Sequence, residues 1–257
     1  PWRVHKFRRH FDHLLALLPF EPDWFAQRAV DCRFVGHPAV GIETGIADGA
    51  DFRARHGQDA GETVICVLPG SRQGEVTRLA GVFRETLHRL QIRYPGLVAV
   101  IPTVPNVANL VRENFSRIPL RTIVIEDVDE KHPAMAASNV GMAASGTVTL
   151  ELAMARVPYV VAYKLTNVTY WLTKALVRVP YANLINLILD REVVPECLQT
   201  RCRPEILFAH VCRLLDSDGA GQVDSMQPAL KAMGLGGPSP SERAAAEVLE
   251  IIQAARY

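Results

Sequence analysis

An α/β fold, a parallel sheet covered by helices, is predicted by three observations. From Phe20 onward, apolar runs of strand length alternate with stretches of helical period. Two of those runs end in tight Gly/Ser turns that open helices: Leu68-Pro69-Gly70-Ser71-Arg72-Gln73-Gly74-Glu75-Val76 and Ala144-Ser145-Gly146-Thr147-Val148-Thr149-Leu150-Glu151. The chain has 257 residues and is 49% apolar, enough for a real core in one large domain or two small ones.

In chain order, Trp2, Arg3, His5, Lys6, Arg8, Arg9 and His10 crowd the first ten positions, as a solvated helix face or as an anionic-surface contact. Strands are expected at His13–Leu18, Cys32–Val35, Thr63–Leu68, Leu97–Ile101, Arg121–Ile125, Asn139–Met142 and Pro158–Ala162. The Gly- and Ala-rich stretch from Ala39 to Gly61 has little strand character and is the expected hinge. Glu75–Tyr94 carries Val76, Leu79, Ala80, Phe83, Leu87 and Leu90 on one stripe, the pattern of an amphipathic helix stopped before Pro95-Gly96. Val107–Phe115, Glu130–Ala137 and Thr147–Ala155 are shorter helices of the same kind. After Tyr163 the alternation fails. Asn167–Val179 reads as a helix, Tyr181–Leu189 as irregular and apolar, Arg203–Leu215 and Ser241–Ala255 as helices, and Asp216–Pro240 as a loop with a short helix at Val223–Met233.

Composition excludes several classes. Lys+Arg 28 against Asp+Glu 27 leaves no field that points to nucleic acid as the partner. The five cysteines form no C-x-x-C pair and have no His at zinc-like spacing, so reduced thiols of a cytosolic protein are expected, with Cys66 buried in its strand. No apolar stretch reaches the ~20 residues of a bilayer-spanning helix. Pro1-Trp2-Arg3 does not begin like a cleaved leader, and the chain reads as starting inside a longer one.

The chemistry is expected at the two turns. The first is neither a Walker A loop nor G-x-G-x-x-G. Its Gly70 lets backbone N–H groups approach a ligand, and Arg72 can offer a fork of donors to a diphosphate, offsetting charge on a leaving group without metal. At the second, Ser145, Gly146 and Thr147 lie where the free N–H groups of the next helix point, and phosphate fits there. Glu151, one turn further along the same face, can take both hydroxyls of a ribose. A plain turn with a surface Arg, and a Ser/Thr cap with a first-turn Glu, are the structural alternatives. His37 lines an interdomain crevice or is an ordinary loop His. No metal site and no cofactor are expected.

These segments resemble a known family. Leu68-Pro-Gly-Ser-Arg-x-x-Glu-Val76, Ala144-Ser-Gly-Thr-x-x-Leu-Glu151 and Pro158-Tyr-Val-Val161-x-Tyr163, with Leu17-Leu-Pro-Phe-Glu21, Phe34-Val-Gly-His-Pro38, Asn183-Leu-Ile-Asn-Leu187 and Val194-Pro-Glu-Cys-Leu-Gln199, are similar to lipid-A-disaccharide synthase, glycosyltransferase family 19. The resemblance implies the GT-B type, two facing Rossmann-like domains, with a donor domain at 41–215, a remnant of the acceptor domain at 1–40, and a C-terminal loop and helices at 216–257 that pack back on the first domain or on a partner chain in a homodimer. It implies an inverting hexosyltransferase that joins UDP-2,3-diacylglucosamine to 2,3-diacylglucosamine 1-phosphate at the cytoplasmic face of the inner membrane. Gly70, Ser71 and Arg72 would then meet the diphosphate, Ser145, Gly146 and Thr147 the phosphate side, and Glu151 the ribose. Asn186, Glu196 and Gln199 would form a donor-side loop, and the general base would belong to the acceptor half. Tyr170, Trp171, Leu172, Lys174, Leu176, Val177 and Arg178 would lie on headgroups, hold an acyl chain, or form a buried amphipathic helix. Two other readings stay open: another UDP-sugar enzyme of this architecture, such as a 2-epimerase or muramyl-lipid glycosyltransferase, and a catalytically silent UDP-binding module.

Overall fold

The computed structural model describes residues 2–41, 46–59, 61–165 and 180–254. The chain forms two compact units, Pro1–Glu43 with Gln227–Tyr257, and Thr44–Met226.

The smaller unit begins with α1 (Trp2–His10), β1 (Leu14–Ala16), α2 (Glu21–Ala26), β2 (Cys32–Phe34) and a 3-10 turn at Pro38–Gly41. The two strands pair in parallel, Leu14 opposite Cys32 and Ala16 opposite Phe34. The Leu-Pro-Phe-Glu segment has a local structural use. Glu21 accepts the Leu18 N–H at 3.0 Å and Pro22 occupies the first turn, so the chain is turned into α2 by a carboxylate and a fixed φ. Gly36 adopts φ +93°, and His37 then donates its backbone N–H to the Met233 carbonyl at 3.3 Å.

The larger unit starts with α3 (Ile46–Arg55), inside the stretch expected to be a hinge. Its small residues serve close packing: a Cβ on Gly49 would lie 2.7 Å from the Ala136 carbonyl group. Phe52 is fully buried, and the Arg53 guanidinium donates to the carbonyls of Ala137 and Glu62. The Gly/Ala-rich composition permits helix-to-helix contact here, and the boundary between the two units, Glu43 to Thr44, falls inside the stretch expected as the hinge.

From there strand and helix alternate: β3 (Val64–Leu68), α4 (Gln73–Arg93), β4 (Val98–Pro102), α5 (Ala108–Phe115), β5 (Arg121–Ile125), α6 (Val128–Ala136), β6 (Val140–Ala144), α7 (Val148–Met154) and β7 (Tyr159–Tyr163). Then come α8 (Leu184–Leu189), β8 (Glu196–Leu198), α9 (Pro204–Asp216) and α10 (Ala220–Ala232), while α11 (Pro240–Ala254) belongs to the smaller unit. The segment Asn167–Val179, with Tyr170 to Arg178, lies outside the described residues.

Among the described residues, six strands form one parallel sheet in the order β5-β4-β3-β6-β7-β8. Helices on its faces bury β3, β4 and β6 at every position, which is why these strands read as unbroken apolar runs. The stripe of α4 is the stripe that is buried: Val76, Leu79, Ala80, Phe83, Leu87 and Leu90 all face the core. At about 1.5–3 kcal/mol for each large apolar side chain, that face alone is enough to fix the helix against the sheet.

Three details differ from the sequence expectation. The irregular stretch Tyr181–Leu189 contains α8, begun by Asn183, whose Oδ1 accepts the Ile185 N–H at 2.9 Å. The loop after it adds β8, an edge strand too short to show a period. The short helix expected at Val223–Met233 inside the Asp216–Pro240 loop is found as the 13-residue α10, begun three residues earlier and entered through Gly219 at φ +60°. No helix among the described residues is long and apolar enough to cross a membrane.

Candidate nucleotide site

The chain lays β3, β4 and β5 outward on one side, then returns to lay β6, β7 and β8 outward on the other. The order therefore reverses between β3 and β6, and the carboxyl ends of two such strands leave a crevice because their helices depart to opposite sides. Leu68 and Ala143 are paired in register, so both Gly/Ser turns emerge side by side at that point. They share a cleft of about 460 Å³ lined by Gly70, Ser71, Arg72, Ser145, Gly146, Thr147 and Glu151, together with Glu75, Thr103 and Lys131.

In the first turn Gly70 adopts φ +117°, and a Cβ there would lie 2.6 Å from Glu75 Cβ. Glycine is required by the fold itself. The Glu75 side chain reaches back over the start of α4: Oε2 accepts the Ser71 N–H at 3.1 Å, and Oε1 meets Arg72 Nη1 at 2.8 Å. Asn106 donates to the Ser71 carbonyl at 3.0 Å, so the Ser71 peptide is held from both sides. The Arg72 side chain is 81% exposed, and its pair with Glu75 is of the weak surface kind, leaving the guanidinium free to turn toward a ligand.

The second turn has a different logic. Nothing lies within 4 Å of a Cβ built on Gly146, so the protein does not need glycine there, and the missing side chain leaves room in the cleft. Thr147 opens α7 without a side-chain cap bond, against the simple capping alternative. Thr149 donates to the Gly146 carbonyl at 2.7 Å, and Ser145 donates to the Ala182 carbonyl at 3.0 Å, fixing the turn from behind. Glu151, its side chain 13% exposed, meets Lys131 and His132 of α6.

Asn186, Glu196 and Gln199 are not brought to this cleft. Asn186 is fully buried with its hydrogen-bonding capacity used: Nδ2 donates to the Val194 carbonyl and Glu196 Oε1, and Oδ1 accepts from Val193 and Val194. Glu196 accepts the N–H groups of Ala182 and Asn183 at 2.9 and 3.0 Å. These two residues therefore hold the segment whose Ala182 carbonyl receives Ser145, one hydrogen bond behind the turn. Gln199 follows β8 with φ +50°, at the same carboxyl edge of the sheet.

Sequence reasoning missed Glu75, Asn106, Lys131 and His132 as parts of the site. Only Glu75 carried a local signal, a first-turn acid three residues after Arg72. His37 is buried in the smaller unit, where its Nδ1 accepts the Ala39 N–H at 3.1 Å. Among the described residues no group of three or more His, Cys, Asp or Glu is placed to hold a metal ion. The five cysteines are unpaired, and burial pushes the Cys66 thiol up from its ordinary range.

Solved structures share the fold at low sequence identity. The UDP-GlcNAc 2-epimerase of Neisseria meningitidis, bound to UDP-GlcNAc, aligns over 91% of this chain and 61% of its own with a TM-score of 0.60 at 14% identity. Anabaena Alr3699/HepE, in complex with UDP-glucose, aligns over 95% of this chain and 66% of its own with a TM-score of 0.57 at 13% identity. The expected α/β, GT-B-type fold is the one found. Sequence similarity is more specific. The lipid-A-disaccharide synthase of Rhodospirillum centenum is 46% identical over 254 residues, 98% of this chain and 63% of that protein. That of Pseudomonas aeruginosa is 38% identical over 253 residues, 98% of this chain and 65% of its own. The chain thus spans just under two thirds of these relatives. The profile of the lipid-A-disaccharide synthetase family matches residues 1–248, a span that holds both turns, Glu151 and the network behind them, and the chain belongs to that family.

Proposed function

We propose that Thr44–Met226 is the donor-nucleotide half of an inverting lipid-A-disaccharide synthase. The reaction is displacement at the anomeric carbon of UDP-2,3-diacylglucosamine by a hydroxyl of 2,3-diacylglucosamine 1-phosphate. The new glycosidic bond forms as the bond to the diphosphate breaks, UDP leaves with the electron pair, and the hydroxyl proton passes to a base. The observation that carries this reading is the convergence of both Gly/Ser turns on one cleft at the switch point of the sheet. Arg72 and the N–H groups of the turns offset the charge that develops on UDP, and Glu151 binds the ribose. Asn186 and Glu196 support the second turn from within the fold, and Gln199 extends the donor side along the sheet edge. Glu75 and Glu151 are already engaged by Arg72 and Lys131, so the base is assigned to the acceptor half of the family's architecture.

The lipid substrates place the protein, in this proposal, peripherally on the cytoplasmic face of the inner membrane. Exposed Arg8, Arg9 and His10 at the end of α1 suit an anionic leaflet. Exposed Val248, Leu249 and Ile252 on α11 suit a homodimer contact.

Calorimetric titration with UDP tests the site. Arg72→Ala and Glu151→Ala are each expected to weaken binding about tenfold, and unchanged affinity in both removes the assignment. An assay for disaccharide 1-phosphate separates an active chain from a UDP-binding module without turnover, and detection of an epimerised UDP-sugar would favour the epimerase reading.

A further inference from the structure

A carboxylate that binds both hydroxyls of a ribose must have two acceptor positions to spare. Glu151 does not. Lys131 Nζ lies 2.9 Å from Oε1 and 2.6 Å from Oε2, and His132 Nε2 lies 2.9 Å from Oε2. An ionised carboxylate offers about four acceptor positions, two on each oxygen. Oε2 is covered by the Lys131 ammonium at 2.6 Å and by His132 at 2.9 Å, and Oε1, which accepts from Lys131, keeps a single place.

Lys131 has the complementary surplus. An ammonium carries three N–H donors. Its hydrogen-bonding and ion-pair contacts among the described residues are both with Glu151, a hydrogen bond to Oε1 and an ion pair with Oε2, so at least one N–H is left over. Lys131 lines the cleft with a third of its side chain exposed, whereas His132 is not part of the lining. Both come from α6, whose start is fixed by Asp127 accepting the Asp129 N–H at 2.9 Å. Consecutive residues on a helix point about 100° apart, so the two side chains hold the carboxylate from different directions.

We propose that Lys131 is a second ribose-binding residue. One ribose hydroxyl donates to the remaining place on Glu151 Oε1, and the oxygen of the other accepts the third N–H of Lys131. His132 stays behind the carboxylate as a positioning residue. The inference rests on the nucleotide reading of the cleft and deepens it: each hydroxyl of the sugar has its own charged partner.

The consequence is a separable recognition of the two hydroxyls. UDP, 2′-deoxy-UDP, 3′-deoxy-UDP and 2′,3′-dideoxy-UDP are titrated calorimetrically into the full 257-residue chain. Each single deoxy ligand is expected to bind about tenfold more weakly than UDP, as for a hydrogen bond to a charged group, and the dideoxy loss should be the product of the two. Lys131→Met should abolish one of the two penalties and keep the other, with Glu151→Gln showing the opposite preference. Thermal melts of both variants establish that they are folded, and the unmodified chain gives the multiplicativity test without any substitution. If Lys131→Met abolishes both penalties or neither, or if the dideoxy loss equals a single deoxy loss, Lys131 does not bind the ribose. If UDP binds no tighter to the unmodified chain than to Arg72→Ala and Glu151→Ala, the nucleotide site itself is wrong, a result distinct from failure of Lys131 alone.

Discussion

Glu75 accepts the backbone N–H of Ser71 at 3.1 Å, so the first turn of α4 holds the very peptide expected to face a diphosphate. The carboxylate also draws Arg72 in at 2.8 Å. The protein's own carboxylate thus engages both donors and holds the turn in shape.

Gly70 makes that contact sterically possible, which leads to the first prediction. Gly70→Ala forces a side chain into φ +117° and to within 2.6 Å of Glu75 Cβ. A loss of about 1–3 kcal/mol in stability is expected from the backbone alone, read as a lower urea midpoint. UDP affinity should fall with it, and a variant with wild-type midpoint and affinity would show that the turn is not held by Glu75.

The second prediction concerns a substitution that only looks conservative. Every described partner of the Glu196 carboxylate is a donor: Ala182 N–H, Asn183 N–H and Asn186 Nδ2. Glu196→Gln turns one acceptor into an NH₂ group facing an N–H, at a cost of about 1–3 kcal/mol. The melting temperature should drop by several degrees, and UDP binding should weaken through the Ala182 to Ser145 link. A melt matching wild type would contradict the network.

Core packing gives the third. Phe83 is fully buried in the α4 stripe against the sheet. Phe83→Ala should cost about 3–5 kcal/mol by denaturant titration, and a value under about 1 kcal/mol would mean that the helix repacks freely.

The fourth is a pH dependence. Burial holds His37 and His210 below their ordinary value of 6.5, and Arg213 and Arg201 add to the effect at His210. Between the lowered folded values and 6.5 the unfolded chain binds more protons, so stability is complete above that window and falls as pH drops through it. The Nδ1 atom of His210 is also buried without a hydrogen-bond partner among the described residues. Melting temperatures measured on both sides of pH 6.5 should decline on the acid side, and the double variant His37→Gln, His210→Gln should flatten the curve. An unchanged slope would remove both histidines from the account.

The parallel sheet and its two Gly/Ser turns were legible because β3, β4 and β6 are buried at every position and α4 has a single apolar stripe over about four turns. That Gly70, Ser71, Arg72, Ser145, Gly146, Thr147 and Glu151 sit at two strand-turn-helix junctions was legible from local rules, and the structure places them around one cleft. Helix α3 was not, since Gly49 signals a breaker locally and a close helix contact globally. The three-residue β8 is too short to carry a period.

What the sequence determines by itself is what repeats along the chain: strand, turn and helix, and the side chains a turn presents. Tertiary structure alone decides which partners share an acceptor. Lys131 and Glu151 are 20 positions apart, and Ala182 and Glu196 are 14 apart. Only the closing of the sheet brings them within hydrogen-bond distance, and only then does it emerge that Asn186 has no free capacity while Lys131 has one donor to give. Hydrogen bonding is short-ranged and saturable, so the roles of these residues follow from who their neighbours are and not from their order.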